Sequence, residues 1–237
     1  ANVCTAVGQL LTCNAFERMV IDEAHFIVSS SVSFRNAFSE SLAKYTSQIP
    51  VTLMTATLRQ QDEDKLIIKV GKDNNLLKKY KTSIWRDNIK VNIVTPASYN
   101  MNTSENSYQC TQSKSDVICL DRAMLALYMK TRTIIYCMSI EKVNIIYEKL
   151  CKLVEQSTKI TNKGSIIIHC YHSKIADNQR GIVHQNFTNG TADIIIATCG
   201  FGVGLHCNNI GLVIILDGCH DIYEYVQYIG RVARGNN

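Results

Sequence analysis

Four short runs in the second half of the chain, Thr133-Ile-Ile-Tyr-Cys137, Ile166-Ile-Ile-His169, Asp193-Ile-Ile-Ile-Ala197 and Leu212-Val-Ile-Ile-Leu216, are apolar at nearly every position. A strand with one wet face alternates apolar and polar residues, whereas a strand apolar throughout needs cover on both faces. Parallel sheets between layers of helix provide that cover, because each crossover lays a helix on the sheet. Helical patterns over 116–130, 140–153, 173–187 and 221–229 accompany the four strands. The spacing therefore predicts a doubly wound α/β domain.

The first half carries a smaller version of the same pattern. After a helix running to about Phe16, the strand Arg18-Met-Val-Ile21 stops at Asp22-Glu23, and a second strand, Val51 to Met54, runs into Thr55-Ala-Thr57. A helix-capable stretch, 34–47, lies between them and an amphipathic region, 60–81, follows. Apolar periodicity vanishes over 95–115, where Ser, Thr, Asn and Gln dominate, so the boundary is placed there. The expected organisation is a first domain over 1–94, a linker over 95–115 and a second domain over 116–237.

Composition narrows the function classes. With 46% hydrophobic and 19% charged residues in 237, the chain can bury one large core or two modest ones. No apolar run approaches the roughly 20 residues of a membrane-spanning helix. Ten cysteines are spread along the chain without a C-x-x-C pair. That usage fits a reducing, intracellular compartment. The net charge of +5 permits a polyanionic partner without requiring one.

In open α/β sheets, ligands sit at the carboxyl ends of strands. Val20-Ile21-Asp22-Glu23-Ala24-His25 delivers two adjacent carboxylates at such an end. In nucleotide hydrolysis one carboxylate holds Mg²⁺ and the other orients and deprotonates the attacking water. The same pair also suits an exposed acidic turn, and by itself it does not decide between the two.

The Asp22-Glu-Ala-His25 box and Thr55-Ala-Thr57 resemble motifs II and III of superfamily-two helicases. Phe34-Arg35-x-x-Phe38 is similar to the aromatic-rich loop of the RecQ branch, and Arg86-Asp-Asn88-Ile89 resembles the R-x-N-I at its lobe crossing. Ile135-Tyr136-Cys137-x-Ser139 resembles motif IV, and Tyr171-His172 the motif that follows it. The glycine-rich Ala197-Thr198-Cys-Gly-Phe201-Gly202-Val-Gly204 resembles motif V. Gln227-x-x-Gly230-Arg231-x-x-Arg234-Gly235 resembles motif VI. Any one of these is weak, but the series occurs in family order from about residue 18 to 235. Thr55-Ala-Thr57-Leu58 is closer in appearance to the fungal telomere-linked and mobile-element branch than to bacterial RecQ.

The resemblance implies an ATP-dependent DNA helicase, moving 3′ to 5′, with two RecA-like lobes, ATP and Mg²⁺ in the cleft between them, and single-stranded DNA crossing both. Asp22 would hold Mg²⁺ through water, Glu23 would activate water, and His25 and Gly204 would belong to the nucleotide site. Arg234 would be the arginine finger, with Arg231 as neighbour and Gln227 as an orienting amide. Arg86, Asn88 and Thr198 would contact nucleic acid, as would Phe34, Arg35 and Phe38. Each reading has a plainer counterpart: two ordinary surface arginines at a solvated helix end, or phenylalanines four apart facing a core. The groups His169-Cys170-Tyr171-His172 and His206-Cys207 lack the spacing of a structural zinc site and are not expected to hold metal.

Three departures from the family pattern matter. No G-x-x-x-x-G-K-[ST] occurs, and Gly71-Lys72 is followed by Asp73. That loop supplies the amides and lysine that cradle the phosphates, so the chain is expected to be part of a longer motor whose first lobe is incomplete here, and to be inactive alone. Ala233 stands where motif VI usually has glycine. His206 stands where motif V usually has aspartate.

Overall fold

The computed structural model describes residues 9–10, 13, 15, 17–28, 46, 49–73, 77–83, 86–95, 97, 113–160, 163–201 and 209–233. The chain divides into two compact units, Ala1–Trp85 and Arg86–Asn237. The expected helix over 34–47, apart from Thr46, and most of the expected linker lie outside the described residues.

In the first unit, β1 (Met19–Ile21) and β2 (Val51–Leu53) pair in parallel, Met19 opposite Val51 and Ile21 opposite Leu53. A single helical turn, Ala24–Ile27, follows β1, and α1 (Gln60–Lys69) follows β2. Ala24, Ile27, Leu66 and Val70 form the buried centre, with Met19, Ile21, Val51 and Leu53 packed against it. Among the described residues of the amphipathic region over 60–81, the helix ends at Lys69. Gly71 takes the left-handed conformation at φ 67°. Its N–H donates to Ile68 and that of Lys72 to Ile67, the double closure that ends a helix on glycine. Gly71-Lys72 is thus a helix stop.

The second unit contains α2 (Lys114–Tyr128), β3 (Thr133–Cys137), α3 (Ile140–Gln156), β4 (Ile168–Tyr171), α4 (Asp177–Thr188), β5 (Ile194–Ala197), β6 (Leu212–Leu216) and α5 (Ile222–Ile229). Its four strands lie in the order β4-β5-β3-β6, all parallel. On one face Ile135, Cys137, Ile194 and Ile196 pack with Cys119, Leu120 and Ala123 of α2 and Val143, Ile146 and Leu150 of α3. On the other, Ile134, Tyr136, Ile195 and Ala197 pack with Val183 and Phe187 of α4 and Tyr228 of α5. The doubly wound parallel sheet expected from the four apolar runs is what forms.

Local chemistry starts the helices. Ser139 caps α3 by accepting the Lys142 N–H at 3.1 Å, and Val143, Ile146, Leu150 and Val154 then recur along one buried stripe. Asp116 of α2, buried, pairs with Lys142 at 2.8 Å and Lys149 at 3.6 Å, which ties α2 to α3. The strand expected over 166–169 is displaced to 168–171. Ile166 closes a short turn onto Lys163, and the Asp193 carboxylate takes the Ile167 N–H at 2.8 Å, so ladder pairing begins later. Gly211, just before β6, meets Thr131 so closely that a Cβ would stand 2.6 Å from its methyl carbon.

Candidate nucleotide and nucleic-acid site residues

Because β1 and β2 are parallel and in register, their carboxyl ends lie side by side. Met54 N–H donates to Ile21 at 2.9 Å, and Ala24 N–H returns to Met54 at 3.0 Å, stitching the loop after β1 to the loop after β2. Asp22 is exposed, and its Oδ1 accepts the Glu23 N–H at 2.8 Å. Glu23 itself adopts φ 49°, ψ 44°, a left-handed conformation that costs a non-glycine residue on the order of 1 kcal/mol. That turn brings its carboxylate back toward His25.

His25 is fully buried, and its Nδ1 lies 2.9 Å from the Thr55 hydroxyl, 3.0 Å from that of Thr57 and 3.3 Å from Glu23 Oε2. A neutral ring protonated on Nε2 accepts a threonine hydroxyl at Nδ1. A charged ring donates there toward the carboxylate. With three oxygens within 3.3 Å of one nitrogen, the imidazole sits between Asp22-Glu-Ala-His25 and Thr55-Ala-Thr57. The Thr57 N–H also donates to the Thr55 hydroxyl at 3.3 Å, closing the second loop on itself.

In the second unit, Asp221 caps α5 by accepting the Glu224 N–H at 2.8 Å, while the Glu224 carboxylate takes the His220 N–H at 2.8 Å. Tyr228 buries its ring against Tyr136, stacked at 3.8 Å, and the Tyr136 hydroxyl donates to Phe201 at 3.2 Å. That packing fixes the helix carrying half-buried Gln227 and the turn carrying half-buried Arg231. Beyond the helix, Ala233 turns left-handed at φ 53°. Arg86 donates to the carbonyls of Gly230 at 3.2 Å and Ala233 at 2.7 Å, and Asn88 donates to Ala233 at 3.4 Å. Thr198 follows β5, its N–H donating to Tyr171 at 3.2 Å and its carbonyl accepting from Phe201 at 3.1 Å.

The structure thus brings Asp22, Glu23 and His25 together in one unit, and Gln227, Arg231, Arg86 and Asn88 together in the other. Phe34, Arg35, Phe38, Gly204 and Arg234 lie outside the described residues.

The pattern of a parallel four-stranded sheet with its motif-bearing loops at strand ends coincides with a known domain: the helicase conserved C-terminal domain matches residues 116–236. The chain belongs to that family. This helicase sequence is RecQ-like: it is 28% identical over 228 residues to the ATP-dependent DNA helicase RecQ of Haemophilus influenzae, covering 95% of the chain and 32% of that protein. It is 26% identical to the RecQ-like DNA helicase blm-1 of Caenorhabditis elegans, covering 92% of the chain and 19% of that protein. Among solved structures, the DEAD-box helicase Mss116 bound to ssRNA and UDP-BeF superposes with a TM-score of 0.64 at 18% identity, over 96% of the chain and 44% of Mss116. That likeness establishes the RecA-like parallel fold. The helicase chain spans about a third or less of the length of the two curated relatives.

Two features of the chain add to the motif reading. Thr55 and Thr57 prove to be the partners of His25, which a sequence shows only as a threonine pair after a strand. A small recess at the carboxyl ends of β3, β5 and β6 is lined by Cys137, Cys199, His220, Glu224 and Tyr228. Burial raises the Cys137 thiol to about 12 and pushes the Tyr228 phenol well above its usual range, so both stay protonated at neutral pH. Among the described residues no cluster of three metal-ligating side chains forms, so Asp22, an exposed carboxylate whose Oδ1 accepts the Glu23 N–H, could hold a Mg²⁺ ion only with water completing its shell.

Proposed function

We propose that this chain carries part of an ATP-driven DNA helicase motor, working 3′ to 5′ on single strands and duplex junctions. The observation that carries the reading is the convergence of Glu23, Thr55 and Thr57 on the buried His25. Motif pairs that merely resembled a family would have no reason to share one ring nitrogen. Glu23 accepts a proton from water as the water oxygen attacks the γ-phosphorus and the bond to the ADP oxygen breaks. With a proton on its Nδ1, His25 donates to that carboxylate and holds it in place. Arg231 and Arg234 supply positive charge to the transferred phosphoryl group, and Gln227 orients it. Mg²⁺, carried by Asp22, would neutralise phosphate charge. The names of the RecQ relatives support DNA as the track, and an intracellular, nuclear location accompanies it in a eukaryotic cell.

The second reading is a nucleic-acid-binding remnant without catalysis, favoured by one observation: the only Gly-Lys step in the sequence is the helix stop at Gly71-Lys72. The two are separated by DNA-stimulated phosphate release. The 237-residue chain alone is expected to release none. The same residues placed after a Walker A-bearing segment are expected to hydrolyse ATP when DNA is added, and silence there with intact DNA binding selects the second reading.

A further inference from the structure

Arg86 is the first residue of the second unit, yet what it grips is the far end of that unit's chain. Its two terminal nitrogens reach the carbonyls of Gly230 and Ala233, and Asn88 adds a donor to the second of these. Gly230 is the residue on which α5 ends, where helix carbonyls lack partners within the helix. A cation there also meets the negative end of the helix dipole. A planar guanidinium can serve two carbonyls as a fork, and an ammonium cannot reproduce that geometry. The Ala233 N–H donates to Ile210 at 2.8 Å, so this left-handed alanine is held from both sides.

The clamped turn runs through Arg231 and leads in sequence to Arg234. Resting on the ATP-hydrolysing reading above, we infer that Arg86 is a positioning residue: with Asn88, it clamps the Gly230 and Ala233 carbonyls and so sets the path of the arginine-bearing turn. The same contact ties that turn to the segment by which the chain enters the second unit. A shift of the turn is then coupled to the connector, and a movement of the connector to the arginines. Displacing reacting groups by about 1 Å can cost on the order of 100-fold in rate.

The test uses Arg86→Ala and Arg86→Lys, with amide exchange, ATP turnover, DNA affinity and melting temperature as readouts. In the 237-residue chain, amide exchange at Ala233 should accelerate at least tenfold in both variants while exchange in β3 and β5 stays slow. In the motor completed with a Walker A-bearing segment, kcat at saturating DNA should fall by about 10- to 100-fold in both, with the apparent affinity for DNA changed less than about twofold. Lysine keeps the charge but not the fork, so a DNA-phosphate contact would be rescued by lysine and a clamp would not. Weakened DNA affinity restored by lysine, with kcat and Ala233 exchange unmoved, overturns the inference, as does a lower melting temperature with kcat intact. If the completed wild-type motor has no ATPase, the functional reading fails, and unaltered Ala233 exchange in the variants would still sink the clamp separately.

Discussion

In the first unit, the loop after β1 is held by side chains that converge on one buried imidazole. In the second, the turn after α5 hangs from backbone carbonyls against a four-stranded core. The central residue of β1, Val20, is 57% exposed, whereas every residue of β3 and β5 is buried. Three-residue strands bury too little to fix the loop after β1 by packing, so hydrogen bonds at His25 set its geometry. The second unit has packing to spare, and its polar contacts, such as Asp116 with Lys142 and the grip of Arg86 on the end of α5, add to a core already formed. Damage should therefore spread differently: point changes in the first unit should strike chemistry, and changes in the second unit's core should strike folding.

The largest effect expected is on rate. In the motor completed with a Walker A-bearing segment, Glu23→Gln should lower ATP turnover by about 10²- to 10⁴-fold while sparing ATP binding and the melting temperature. Retained turnover removes Glu23 from its role. On stability, the contrast is between strands. Ile196→Ala, in the fully buried centre of β5, should cost the second unit about 3–5 kcal/mol, measured by denaturant unfolding. Val20→Thr should cost no more than about 0.5 kcal/mol. Similar losses at the two positions would show that the first unit depends on its core after all.

His25→Ala lies between these. It leaves the Thr55 and Thr57 hydroxyls without their common partner, at a cost of about 1–3 kcal/mol. It should also lower turnover without altering DNA affinity. A stability loss with normal turnover would separate His25 from Glu23.

Much of this was legible in advance, for reasons that can be located. β3 and β6 begin and end where the apolar runs do, because Arg132 precedes the first and Ser139 caps the helix after it, while Gly211 and Asp217 flank the second. β4 was displaced by two residues because the Asp193 carboxylate, 26 positions away, claims the Ile167 N–H, and no local pattern marks such a contact. The grouping of Asp22, Glu23 and His25 could be read from their adjacency. The partners of His25 could not, since they depend on the register that aligns β1 with β2. The targets of Arg86 are backbone carbonyls, which every residue but their own surroundings makes alike.

A pH effect is expected to distinguish the units further. Burial lowers the titration of His169, whose Nε2 lies 3.2 Å from the Asn186 amide, and burial together with Lys174 lowers that of His172. Both groups therefore titrate lower in the folded protein than near 6.5, the usual value for an unfolded chain. Below about pH 6.5 the unfolded state binds more protons, so stability rises with pH there. It is fully present above that value and is lost as pH falls through the folded values. Melting temperature of the second unit should decline as pH falls below about 6.5, and His169→Gln with His172→Gln should flatten the decline. An unchanged slope would assign the pH dependence to other groups.

The smallest effect concerns the alanine that departs from the family's glycine. A left-handed alanine costs roughly 1–2 kcal/mol more than a glycine in the same conformation, while glycine gives back about 0.5–1 kcal/mol through its greater freedom when unfolded. Ala233→Gly should therefore raise stability by only about 0.5–1 kcal/mol. The sign is the informative part. The Ala233 carbonyl is where Arg86 and Asn88 meet, so a backbone already held there gains nothing in position from the methyl group, and kcat should not move. If glycine instead lowers kcat while raising stability, the methyl-bearing backbone is what keeps the turn rigid. The alanine would then restrict the turn in a way that Arg86 and Asn88 alone do not.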